Sequence, residues 1–128
     1  MSNERVYHMA FSKVFPLLIA KAEKKGRTRA EVLEVTAWLT GYAPDVIEAA
    51  LAADLTYGDF FRQSPAPNPK RTQITGVVCG VRVETVEEDL MREIRYLDKM
   101  VELCEKNGTQ LVLIKAPSFS PVWWDFSL

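Results

Sequence analysis

A chain of 128 residues, 48% hydrophobic and 26% charged, has enough apolar surface for one buried core but is too short for two, which excludes a disordered chain and predicts a single folded domain. Its net charge of −1 lacks the positive excess of a typical nucleic-acid binder, and two isolated cysteines, Cys79 and Cys104, exclude a disulfide framework or paired-cysteine zinc site and read as buried reduced thiols. No apolar run approaches bilayer length, and "MSNERVYHMAF" lacks the pattern of a secretion signal, so the expectation is a soluble cytoplasmic protein with no membrane partner.

In chain order, "FSKVFPLLIAKAEKKG" places Phe11, Val14, Phe15, Leu18, Ile19 and Ala22 on one helical face. Gly26 stands where a left-handed cap would end that helix, and Pro16 is expected in its first turn. "TRAEVLEVTAWLTG" follows with Thr28 and Glu31 spaced as a capping box, a buried stripe of Val32, Val35 and Leu39, and Gly41 as the stop. "YAPDVIEAALAAD" restarts at Pro44, with Val46, Ile47, Ala50 and Leu51 expected inward. "TYGDFFRQ" reads as a short helix capped by Thr56 and anchored by Tyr57, Phe60 and Phe61.

"SPAPNPKR" holds three prolines in eight residues and reads as a loop. "RTQITGVVCGVRVE" fits helix and strand alike, and the expectation is a short helix over about 72–80 followed by an extended link. "TVEEDLMREIRYLDKMVELCEKNG" carries the clearest pattern. Thr85 and Glu88 are spaced as a second capping box, Lys106 lies in the last turn, and Gly108 follows as the cap. Leu90, Ile94, Leu97, Val101 and Cys104 alternate steps of four and three. That spacing suits packing along another long helix, either the first helix or a copy of this one from a second subunit.

The stretches "RVYHMAFSKVFPLLIAKAEKKGRTRAEVLEVTAWLTGY" and "NPKRTQITGVVCGVRVETVEEDLMREIRYLDKMV" resemble the bacterial domain of unknown function 2200 family over about residues 5–101. The resemblance rests on "KAEKKGRT", "WLTGY", "GVVCGVRVE" and "EIRYLDK" together. It implies a compact, mainly helical bacterial protein and supplies no activity. Residues 96–125 depart from it and are similar instead to an internal helix–strand piece of SGNH-hydrolase-like proteins. The Gly-Asp-Ser nucleophile motif of that class is missing, because "YGDFF" has Phe60 where the serine would stand.

The end of the chain, "QLVLIKAPSFSPVWWDFSL", is too apolar for a solvated tail. "QLVLIK" reads as a strand that needs a partner, either "VRVE" or the same segment of another subunit, with Trp123 and Trp124 packing on helices. The competing explanation is a chimeric or truncated reading frame whose tail packs opportunistically. The fold expectation is therefore mainly α: a compact bundle of about five helices with one long C-terminal helix, then a short β-strand and an apolar tail. Residues 1–108 form the helical domain, and 109–128 pack on it or on a second subunit.

The chemistry-bearing residues give no catalytic, cofactor or metal set. His8, the sole histidine, has no spaced carboxylate or serine partner. Glu87, Glu88 and Asp89 sit where a helix N-terminus stabilises acids, and "GVVCG" lacks the glycine spacing and lysine of a phosphate loop. The expectation is an uncharacterised, non-catalytic protein acting by protein–protein interaction or self-association, a homodimer with candidate interface residues Leu90, Ile94, Leu97, Val101, Leu111, Leu113, Trp123 and Trp124. The alternative is nucleic-acid binding through the helix-turn-helix-like pair of residues 28–53 and its adjacent basic run. Lys24, Arg29, Lys70, Arg71 and Arg82 are the candidate contacts, although the second helix of that pair carries Asp45 and Glu48 and no base.

Overall fold

The computed structural model describes residues 3–107. Leu111, Leu113, Trp123, Trp124 and the expected strand lie outside the described residues. Helix α1 (Asn3–Tyr7) leads into α2 (Phe11–Lys24), whose start has no side-chain cap. It is held by backbone instead: Phe11 N–H donates to the Leu55 carbonyl at 2.9 Å and Tyr57 N–H to the Met9 carbonyl at 2.7 Å, around an antiparallel bridge of Ala10 with Thr56. Pro16 lies inside α2, in its second turn rather than its first. It is exposed, so the carbonyl that loses its donor can bond water instead. Gly26, at φ +87°, ends α2 as expected, with Gly26 N–H on Glu23 and Arg27 N–H on Ala22.

The Thr28–Glu31 capping box opens α3 (Arg29–Thr40), and Val32, Val35 and Leu39 are buried as read from the sequence. Buried Thr36 and Thr40 satisfy their hydroxyls by donating to the carbonyls of Val32 and Thr36, at 2.8 and 2.7 Å. Helix α4 (Pro44–Ala50) starts at Pro44, but it stops short of Ala53 and turns only Ile47 fully inward. Val46, expected inside, is 47% exposed. Helix α5 (Tyr57–Arg62) is capped by Thr56 and buries Tyr57, Phe60 and Phe61. The Phe60 ring stacks on Phe11 at 4.3 Å and on Tyr42 at 4.5 Å, joining α2 to the start of α4.

The proline-rich loop is strapped to the end of α3 by Ala66 N–H on Thr40 and Asn68 N–H on Leu39. Asn68 then caps a 3-10 turn, Pro69–Gln73. The helix expected over 72–80 is replaced by a hairpin of β1 (Val77–Val78) and β2 (Val81–Arg82), paired Val77 with Arg82 and Val78 with Val81. The two turn residues, Cys79 at φ +52° and Gly80 at φ +76°, have the positive φ that lets a two-residue turn match the twist of the strands. Cys79 is consequently exposed, not buried as expected, whereas Cys104 is buried.

Helix α6 (Asp89–Asn107) is the longest element. The second capping box does not form. Thr85 closes a 3-10 turn (Val83–Thr85) and donates its hydroxyl to the Arg82 carbonyl, while the Glu88 carboxylate reaches back to α1. α6 packs on α2, α3, α5 and the hairpin, so it forms the spine of the core. Among the described residues no helix is long and apolar enough to cross a membrane.

Candidate functional site

Two clefts flank α5. The first lies between α4 and α5 and encloses about 340 Å³. Ala49, Ala50 and Ala53 keep one wall shallow, Val46 stands on it, and Tyr42, Leu55 and Phe60 complete it. The Tyr42 hydroxyl donates to the Phe60 carbonyl at 2.7 Å, so its polar atom is satisfied within the fold, and burial pushes its pKa up. Only Asp54 and Gln63 bring charged or amide groups to the lining. The groove is thus apolar, open, and shaped by small side chains on a short helix.

The second cleft, about 310 Å³, lies between the end of α5, the proline-rich loop and the first turns of α6. Its polar groups bond one another. Arg71 donates through Nε to both Glu93 oxygens at 2.8 and 3.0 Å and through a terminal nitrogen to the Asn68 carbonyl at 2.9 Å. Ser64 Oγ donates to the Phe61 carbonyl at 2.8 Å, and Arg62 pairs with Asp59 at 2.8 Å while lying 5.7 Å from the Tyr7 ring centroid. These bonds tie loop, α5 and α6 together, and the Ser64 hydroxyl meets a carbonyl there, not a base.

The acids at the start of α6 act as ties as well. Glu88 accepts from the Tyr7 hydroxyl and from Asn3 Nδ2, at 3.0 Å for the latter, and Asp89 pairs with Arg92. Hydrogen bonds from Tyr7 and then Asn3 hold the Glu88 pKa below the ordinary glutamate value. Burial, and after it Glu88, pushes Tyr7 up to about 12. Among the described residues no group of three or more His, Cys, Asp or Glu could hold a metal ion. His8 is exposed just past α1.

The candidate interface stripe divides. Ile94, Leu97 and Val101 are 2%, 0% and 1% exposed within this chain's own core, so that face serves the fold of one copy and is not free to meet another. Leu90 is half-buried and lines the second cleft. Of the candidate nucleic-acid contacts, Arg29 pairs with Glu48, Arg71 with Glu93 and Arg82 with Glu84, while Lys24 is exposed and Lys70 half-buried. The five are not gathered on one cleft: only Arg71 lines either. Sequence reading missed the groove residues Tyr42, Ala49, Ala53 and Leu55. The available signal was the alanine-rich run after Ile47, whose small side chains cannot fill the space beside an aromatic pair.

Comparison with known proteins bears on the family and the fold. The family described as "Uncharacterized protein conserved in bacteria (DUF2200)" matches residues 5–113. The match therefore runs beyond 101, into the stretch where the SGNH-hydrolase-like piece was expected, and nothing found supports that second resemblance. The solved structure titled "Crystal structure of uncharacterized protein SP1917" is similar at 49% identity and a TM-score of 0.84, over 88% of this chain and 92% of that one. No curated protein matches the chain. On the family match over residues 5–113, the chain belongs to the bacterial DUF2200 family.

Proposed function

We propose that the protein acts without catalysis, by self-association through the apolar surface centred on the α4–α5 groove. The observation that carries the reading is an apolar groove of about 340 Å³ with Val46 on its wall 47% exposed to solvent. Covering exposed apolar surface removes it from water, which favours association. The composition of the chain supports the same reading. Leu111 to Leu128 contains eleven apolar residues and only two charged ones, Lys115 and Asp125, far more apolar surface than a solvated segment carries.

Molar mass by light scattering across a wide concentration range tests the proposal. The expected mass rises with concentration from 14.5 kDa toward twice that value. A mass fixed at 14.5 kDa throughout would refute self-association.

A further inference from the structure

We propose that the occupant of the α4–α5 groove is the C-terminal segment of a second copy of this chain, anchored by Trp123 and Trp124. The inference deepens the self-association reading and rests on it. Segment and groove match chemically. The segment "SFSPVWWDFSL" offers Phe119, Val122, Trp123, Trp124, Phe126 and Leu128 with Asp125 as its sole charged side chain, and the groove offers Val46, Ala49, Ala53, Leu55 and the Tyr42–Phe60 pair. Small side chains on the α4 wall leave room for flat rings, and an indole can lie on carbon while its N–H reaches the polar rim at Gln63 or Asp54.

Buried area sets the strength of such a contact. Two tryptophans burying about 150–250 Å² each cover about 300–500 Å² of segment surface. The groove lining itself exposes far less than that, so two reciprocal contacts lie at or below the low end of a standard interface and give a weak, concentration-dependent pair. A reciprocal exchange closes as a two-fold pair and leaves neither groove open for a third copy.

No α6 residue lines the groove, whereas α6 and α5 together line the opposite cleft. That opposite cleft is lined by the first turns of α6, whereas the segment follows the other end of the helix, after Asn107. Residues 108–118 can span up to about 37 Å when extended, a reach sufficient to cross to a neighbouring copy.

The test uses the full chain with Trp38→Phe, so that the emitting tryptophans are Trp123 and Trp124, with far-UV circular dichroism as the check on folding. At concentrations where the chain is dimeric, the emission should be blue-shifted and protected from acrylamide, and dilution to monomer should expose it. Val46→Glu and the double variant Trp123→Ala/Trp124→Ala should each raise the dimer dissociation constant about tenfold or more. Combining all three substitutions should weaken the dimer little further, because they remove one shared contact.

If the tryptophan variant stays dimeric while Val46→Glu becomes monomeric, the segment is not the occupant and groove-mediated self-association stands. If the tryptophan variant becomes monomeric while Val46→Glu stays dimeric, the segment binds elsewhere and the proposal fails. A monomer at all concentrations with protected tryptophans overturns both the proposal and the self-association reading.

Discussion

Gly41 shows how much a single position can demand of the chain. At φ +82° it lies in the left-handed region, and a Cβ built there would come within 2.7 to 2.8 Å of Ala66, backbone atoms included. Gly26 has a similar φ of +87° and open space around it. Gly26→Ala should therefore cost only the conformational term, about 1–2 kcal/mol. Gly41→Ala should cost at least about 2 kcal/mol more, because the proline-rich loop must lift off the end of α3. Denaturant unfolding of the two variants measures the difference, and equal costs would show that the loop does not press on Gly41. Charge matters at this scale too. The folded Glu88 carboxyl titrates below its ordinary value, so its contribution is present above that value and fades as pH falls through the lowered one. Glu88→Gln should reduce stability at neutral pH and shrink the gap to wild type below about pH 4. Tyr7, pushed up to about 12, contributes below the ordinary tyrosine range and loses that contribution as pH rises through about 12. Tyr7→Phe should flatten that alkaline limb in a pH series of melting temperatures.

At the scale of elements, legibility followed whether the deciding interaction was local. The Thr28–Glu31 box and the Gly26 and Gly41 helix ends were readable because each is settled within a few residues, the box by side chains accepting from backbone N–H and the helix ends by backbone bonds. The Thr85–Glu88 box was misread because long-range partners intervened: Glu88 serves Tyr7 and Asn3 across the fold, and the helix begins only at Asp89. Val46 was misplaced because α4 has seven residues, too few turns for periodicity to fix a face. The hairpin was missed because its first turn residue is Cys79, not the asparagine or aspartate that usually signals such a turn. Asparagine tolerates positive φ far better than cysteine. Cys79→Asn should raise stability by about 0.5–1 kcal/mol, seen as a melting temperature a few degrees higher. No change or a decrease would argue against the Cys79–Gly80 turn.

For the whole molecule, the heptad-like spacing on α6 was read correctly as a buried stripe, yet spacing does not name what buries it. Ile94, Leu97 and Val101 are covered by the chain's own helices, because α6 runs against α2, α3 and α5 together. The association surface proposed above lies on α4 and α5, where no long pattern exists to announce it. Only packing reveals that three alanines and an outward valine leave a groove beside Tyr42 and Phe60. The basic residues moved the other way. Arg29, Arg71 and Arg82, which looked available in sequence, each hold a carboxylate of the same chain.

The central claim, association through the α4–α5 groove, is tested most directly by the molar mass of Val46→Glu beside Leu17→Glu, each compared with wild type at equal concentration. Leu17 is the right control because it is 67% exposed on α2 and lines neither cleft. The account predicts a dimer for wild type and Leu17→Glu and 14.5 kDa for Val46→Glu. Equal masses for the two variants, or a wild-type monomer, would contradict it.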